Sequence, residues 1–408
     1  MRDLIVAGGG PAGMMAAIMA ARNDKRVCLI EKNDKLGKKL FITGKGRCNF
    51  TNAASVEGLL DHVLTNKKFL FGAFYSFDSE AVIDFFEELG LKHKVERGGR
   101  VFPASDHSSD VIKALEKELK RLSVEILLNT RMKELVIKDG RVCGVMLPEG
   151  RIMEAENVIL ALGGNSYRST GSNGEGNRIL KDTGLKLIQY EPSLVPFEVS
   201  ESFIGRLAGL SLKNISLKIT VDGKKRYEDF GELLFTHTGL SGPVILSASC
   251  NLREEDYKKK VEAFIDLKPA LSEKQLDQRL LRDFSENINK KFANSLGALL
   301  PSKLIPVITK LSGIDADKPV NSITKTERKN LCMLLKSLSF SVKGNRGFDE
   351  AIITRGGVSV KELDPSTMKV KKLPGLSLAG EMIDTDAYTG GFNLQIAWAT
   401  GALAGMNI

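Results

Sequence analysis

Two groups of residues in this chain have the types and spacing to do chemistry. The first is Gly8-Gly9-Gly10-Pro11-Ala12-Gly13 followed by Glu31. It fits GxGxxG, with an apolar run at 4–7 before it and an alanine-rich helical stretch after it. Gly8 permits a tight turn, Gly10 lets backbone approach a pyrophosphate, and Gly13 lets the helix pack on the strand. The helix start, opened by Pro11 and Ala12, attracts phosphate. Glu31, eighteen residues after Gly13, ends a second apolar strand. A carboxylate there accepts hydrogen bonds from ribose hydroxyls. The second group is a set of proton donors: Cys48, His237, Tyr388 and, as another phenol, Tyr167. Cys48 lies in ITGKGRCNFTN (42–52) beside Lys45 and Arg47. Those cations are expected to lower its thiol pKa; the alternative is a small packing cysteine. His237, one of four histidines, lies in THTGLSGP and has either a structural or an acid–base role. The 42–52 loop is not a P-loop, because six residues separate Gly37 and Gly44 and Lys45 is followed by glycine.

The elements that must hold these residues are legible in outline. A length of 408 residues predicts two or three domains. With 42% hydrophobic and 27% charged residues, the composition is that of a soluble globular protein rather than a disordered or membrane-spanning one. No apolar run approaches the roughly 20 residues that span a bilayer, so no membrane partner is expected. Five widely spaced cysteines, with no CxxC, argue against a metal site or a disulfide framework and for a reducing, cytoplasmic setting. The region 53–122 reads as mostly helical, with N-caps at Ser79 and at Ser109 or Asp110 and a loop or hairpin between the two helices. His107 could only cap the second helix. From 124 to 162 the pattern turns to strands. Pro192 and Pro196 mark a boundary, after which 192–270 alternates like antiparallel β structure. Residues 271–340 read as helices, with capping boxes at Ser272/Gln275 and Thr324/Glu327. The stretch 272–347 holds fourteen Lys/Arg against seven Asp/Glu, a net +7 of the chain's +9. That is either a solvated helical surface or a patch for phosphate-rich partners. The last helix carries Trp398 as a core residue.

The far end of the chain chooses between nicotinamide and flavin. Gly380-Glu381 follow a strand and Gly390-Gly391 precede a helix, so a dinucleotide is met from both chain ends, as in flavoproteins. That second helix start can stabilise negative charge on a reduced flavin ring. Gly163-Gly164 end another strand beside the expected cofactor. Six stretches carry a resemblance: GGGPAG (8–13), GKKLFITGKGRCNFTN (37–52), GRVFPAS (99–105), LALGGNSY (160–167), FTHTGLSGP (235–243) and GEMIDTDAYTGGFNLQIA (380–397). With them the chain resembles the BaiN and aminoacetone-oxidase-like family of FAD-binding flavoproteins over nearly its whole length.

That resemblance implies an α/β fold. A discontinuous Rossmann-like FAD-binding domain (1–191 and 344–408) would be interrupted by an antiparallel β subdomain (192–270) and a helical one (271–343). It implies that Gly8, Gly10, Ala12, Gly13, Glu31 and Lys32 hold the adenosine diphosphate half. Gly380, Glu381, Asp384, Gly391, Phe392 and Asn393 would line the ribityl and flavin half, with Glu381 or Asp384 accepting from ribityl hydroxyls. The 37–52 loop would lie along the flavin. Lys39, Gly44, Arg47 and Asn49 then join the cofactor-binding set, and Lys45 and Arg47 could neutralise the pyrophosphate or the reduced ring. The implied activity is an FAD-dependent oxidoreductase reducing a carbonyl-conjugated C=C of a small molecule, such as an oxo-steroid or bile acid. Reduction of uridine in ribosomal RNA, amine oxidation, and a non-catalytic flavin-bound RNA-binding role are the alternatives. No second GxGxxG occurs, so NAD(P)H is expected only as a transient reductant. The oligomeric state stays open.

Overall fold

The computed structural model describes residues 2–408. Among them the chain divides into two compact units. One runs up to Ser193 and resumes at Phe348; the other is Leu194–Gly347.

The first unit is built on a seven-stranded sheet. Its strands run, in spatial order, Glu125–Leu127, Val27–Ile30, Arg2–Ala7, Ile152–Leu160, Arg141–Met146 and Glu134–Lys138, with Leu376–Leu378 also on Ile152–Leu160. The pairs that flank Arg2–Ala7 are parallel, and so is the Leu376–Leu378 pair. Leu4 to Ala7 and Val27 to Ile30 are all buried, because strands covered on both faces need apolar side chains at every position. Helix Pro11–Arg22 covers one face, and the final helix, Phe392–Met406, packs on it. A Cβ at Gly401 or Gly405 would overlap the backbone oxygen of Ala12 or Ala16. The two helices therefore meet backbone to backbone, which fixes the glycine loop relative to the start of the final helix. Trp398 is fully buried in this helix, as expected, and its Nε1–H donates to the Phe50 carbonyl at 2.8 Å.

Two cap expectations need correction. Helix Ser79–Glu88 is capped by Asp78, which accepts from the Ala81 N–H at 2.9 Å. Ser79 is already its first residue and donates to the Ala54 carbonyl. Helix Ser108–Arg121 has His107 in the cap position with no side-chain cap, so Ser109 and Asp110 lie inside the first turn. The first helix starts one residue earlier than the apolar periodicity suggests, and the second two or three. The stretch between them is a hairpin, His93–Glu96 with Arg100–Pro103, extended by Thr51–Asn52 into a three-stranded sheet.

The second unit contains a closed barrel of Phe197–Val199, Gly239–Ser241, Lys224–Phe235, Ser211–Val221, Val261–Asp266 and Leu338–Asn345. Alternate residues point inward, as in Val261, Ala263 and Ile265, or Leu338, Phe340 and Val342. Closure leaves no free sheet edge. Helices Glu273–Ser285 and Lys325–Lys336 begin with the expected capping boxes at Ser272/Gln275 and Thr324/Glu327. Their apolar sides join the same core as the barrel.

Candidate functional site

The glycine loop of the first unit has the shape that dinucleotide binding requires. Gly8 has φ +110°, and a Cβ there would overlap the Ala161 carbonyl; a Cβ at Gly13 would overlap the Gly8 carbonyl. Gly10 is the opposite case, with no atom within 4 Å of the point a Cβ would occupy. The loop is closed towards the sheet and open at Gly10. Glu31, buried at the end of its strand, braces it: one oxygen accepts from the Gly9 N–H at 2.7 Å. The other accepts from the N–H and Nδ2–H of Asn33, at 2.8 and 2.7 Å. Lys32 is turned away from this carboxylate. Its Nζ donates to Glu175 at 2.7 Å and to Asn173 at 3.1 Å. Burial raises the Glu175 carboxyl, but Lys32 and Arg131 more than reverse that and hold it low. The positive charge of Lys32 is thus already balanced.

The second half of the site is assembled around Glu381. Lys39 Nζ donates to both of its oxygens, at 2.9 and 2.8 Å, and to Ser166 Oγ at 2.8 Å. The Gly164 and Thr354 N–H groups approach the same carboxylate at 3.3 and 3.4 Å. Gly163, at φ +75°, sits beside it. Gly380 N–H donates to Thr400 Oγ1 of the final helix at 3.0 Å. Asp384 is buried; Asn66 Nδ2 donates to its backbone and side-chain oxygens at 2.7 and 3.0 Å. Asn393 clips the preceding turn, accepting from Ala387 N–H and donating to the Ala387 and Tyr388 carbonyls. Gly391, at φ +100°, then opens the final helix with Phe392 as its first residue.

The proton-donor candidates separate once burial is known. Cys48 is fully buried, and burial pushes its thiol up to about 12, with only a Thr43 contact opposing. This corrects the expectation that Lys45 and Arg47 activate it. Arg47 stacks on Phe102, with its guanidinium carbon 4.1 Å from the ring centroid, and pairs with Glu96 and with Asp106 at 2.6 Å. Its charge is paired with the hairpin and the Pro103–Ser108 loop. Asn49 follows in the same loop with a buried, unpartnered Oδ1, and Gly44 and Lys45 hold left-handed conformations. Tyr388 is half-buried, with its N–H donated to the His62 carbonyl at 3.0 Å. Tyr167, also half-buried, has its phenol pushed up by burial. His237 is exposed on the turn between strands Lys224–Phe235 and Gly239–Ser241 of the second unit.

His62 was missed by sequence reasoning because it ends a short helix far from any motif. Its ring stacks on Phe392, 4.0 Å between centroids and 11° from parallel, and lies edge-on to Tyr388. Thr354 and Asn66, which hold Glu381 and Asp384, were missed for the same reason; nothing in their own sequence context marks them.

These residues fit an FAD. The cradle at Gly10 is open, Asn49 Oδ1 and Ser172 Oγ are buried without partners, and a fifteen-residue helix presents its start after Gly391. Fold and site together define a Rossmann-type flavoprotein. The model of the HI0933-like protein Rossmann domain matches residues 2–407, and the chain belongs to that family. It is 31% identical over 408 residues to the 3-dehydro-bile acid delta(4,6)-reductase of Clostridium scindens, covering 99% of this chain and 98% of that one. It is 28% identical over 410 residues to the ribosomal RNA dihydrouridine synthase of Haemophilus influenzae, again 99% and 98% of the two chains. In fold it is similar to the 3-ketosteroid delta1-dehydrogenase of Sterolibacterium denitrificans, with a TM-score of 0.53, 14% identity and coverage of 99% and 98%. The protein is an FAD-dependent oxidoreductase. No helix among the described residues is long and apolar enough to cross a membrane.

Proposed function

We propose that this oxidoreductase reduces a carbonyl-conjugated C=C bond of a small-molecule enone of the oxo-steroid or bile-acid type, with NAD(P)H as electron donor. What supports the substrate class is the near full-length similarity to a reductase whose name specifies a 3-dehydro substrate and its delta(4,6) bonds. Held here and reduced by NAD(P)H, the flavin would supply the hydride chemistry. Gly8, Gly10, Pro11, Ala12 and Gly13 hold the diphosphate through backbone N–H groups and the helix start. Glu31 keeps that loop in shape and retains one lone pair, on the oxygen that Gly9 N–H meets, for a ribose hydroxyl. Glu381, anchored by Lys39 and the Gly164 and Thr354 N–H groups, and Asp384, anchored by Asn66, would hold the ribityl chain. Gly163 and Gly164 border it. Gly391, Phe392 and Asn393 bring a helix N-terminus to the flavin end, where it favours developing negative charge. Tyr388, its backbone fixed by His62 and Asn393, supplies the proton that completes the reduction; His237 is the other donor of the right chemistry. Cys48 packs.

The test is anaerobic. Purified yellow protein is mixed with NADPH or NADH, and the flavin absorbance is followed before and after a 3-oxo-4-ene steroid is added. Bleaching followed by recovery on adding the steroid is expected. Flavin that neither cofactor bleaches would refute the nicotinamide-driven reading. One observation favours a second substrate, uridine in ribosomal RNA: the +7 of residues 272–347 suits a phosphate backbone. It predicts salt-sensitive RNA binding and loss of a dihydrouridine from the ribosomal RNA of a deletion strain.

A further inference from the structure

An ion pair between the 384–393 segment and strand Ile353–Val358 serves none of these roles. Arg355, on strand Ile353–Val358, is 4% exposed, and Asp386 is 0% exposed. Arg355 Nε lies 3.8 Å from Asp386 Oδ2, too far for a hydrogen bond. Neither Nε nor Nη2 of Arg355 has a hydrogen-bond partner, nor has Asp386 Oδ1; the neighbouring Thr385 Oγ1 is also buried and unpartnered. Asp386 Oδ2 accepts from Ser193 Oγ at 3.0 Å.

A buried pair with so few hydrogen bonds is a poor stabilising device, because desolvation of both charges is repaid only when their remaining valences are filled. Apolar residues of the same volume would serve stability at least as well. What distinguishes the pair is its position. The Asp386 carbonyl accepts from Leu64 N–H at 2.8 Å, and Asp384 N–H donates to the Val358 carbonyl. Thr354, next to Arg355, contributes its N–H to Glu381 and accepts from Asn165 N–H at 2.7 Å. The pair therefore joins strand Ile353–Val358 to the segment that runs from Glu381 to the start of the final helix. In a low-dielectric interior with little hydrogen bonding to damp them, both charges act over longer distances than surface charges do.

We propose that Arg355 and Asp386 are positioning residues for the flavin. They hold the 384–393 segment to strand Ile353–Val358, and their opposed fields set the potential at which the bound flavin is reduced. This rests on the FAD assignment and not on the identity of the substrate. The field of Arg355 favours the reduced, more negative flavin, and that of Asp386 opposes it. The two removals must therefore act with opposite sign, whereas two purely structural lesions would act alike.

The experiment measures the flavin midpoint potential of the holoenzyme by equilibration with a reference dye, with FAD stoichiometry measured separately. Arg355→Met is expected to lower the reduction equilibrium about tenfold, which for a two-electron couple is about 30 mV. Asp386→Asn is expected to raise it by a similar factor, the double variant to fall between them, and Arg355→Lys to stay with the wild type. Shifts of the same sign in Arg355→Met and Asp386→Asn, or no shift in either, overturn the proposal. Should Arg355→Met lose its flavin, Arg355→Lys and Asp386→Asn decide: the proposal stands only if lysine preserves the potential and asparagine raises it. A wild-type protein that holds no FAD would instead defeat the cofactor assignment, a separate outcome read from stoichiometry alone.

Discussion

Glu31→Gln is the sharpest probe of the dinucleotide site, because the substitution keeps shape and volume while it removes the charge and one acceptor. The two carboxylate oxygens accept three hydrogen bonds, from Gly9 N–H, Asn33 N–H and Asn33 Nδ2–H. All three groups are donors. A glutamine brings one oxygen and one NH2 to the same places. If its oxygen keeps the two Asn33 bonds, its NH2 faces the Gly9 N–H, donor against donor. The loss is then one charge-assisted hydrogen bond, with a buried N–H left unsatisfied, about 2 kcal/mol. Gly9 is inside the loop that receives the diphosphate, so the cost falls on binding when the cofactor requires that loop geometry. About 2 kcal/mol corresponds to roughly a 30-fold rise in the FAD dissociation constant. The assay titrates apoprotein with FAD and follows quenching of flavin fluorescence, with a thermal melt of the apoprotein to separate loop damage from global unfolding. A Glu31→Gln protein that binds FAD within about threefold of the wild type would refute the claim that this carboxylate braces the loop. An unchanged apo melt beside a 30-fold loss would place the effect in the loop.

Other consequences follow from the same geometry. Lys39→Met leaves the Glu381 carboxylate without its cation and should cost about 2 kcal/mol of holoenzyme stability, visible as lower flavin occupancy after dialysis; Lys39→Arg should recover part of it. Gly401→Ala drives a methyl into the Ala12 backbone and should destabilise the first unit by about 1–3 kcal/mol, read from urea unfolding followed at Trp398. Cys48→Ala should leave turnover unchanged and should remove a slope from the pH–stability curve. The thiol is at about 12 in the folded chain against 9.0 in the absence of burial. Its contribution is therefore complete below pH 9 and is lost as the pH rises towards 12, where the unfolded chain has already shed the proton. The wild type should lose stability relative to Cys48→Ala over that window. Cys28 carries a shift of the same size, so the variant removes one share of the slope and not all of it.

The parts of the site written in backbone conformation were legible in the sequence. GxGxxG between an apolar strand and a helix, and a second Gly-Gly before the final helix, specify turns that few other residue types can make. The capping boxes at Ser272 and Thr324 are local in the same sense. Charge and burial were not legible, because they are decided by partners far along the chain. Lys45 and Arg47 flank Cys48 in sequence, yet Arg47 pairs with Asp106, 59 residues away, and the thiol is closed off from both water and cations. Two lysines show the same effect at the cofactor site. Lys32 is balanced by Glu175 and Lys39 by Glu381, 342 residues distant, so neither brings an uncompensated charge to a phosphate. On the proposed cofactor reading, the phosphates would be met mainly by backbone N–H groups and helix starts, whose positions the glycines set. Chemistry can then be tuned in buried charges such as Arg355 and Asp386, which no local pattern announces, and in His62, which meets Phe392 and Tyr388 only because the chain folds back on itself.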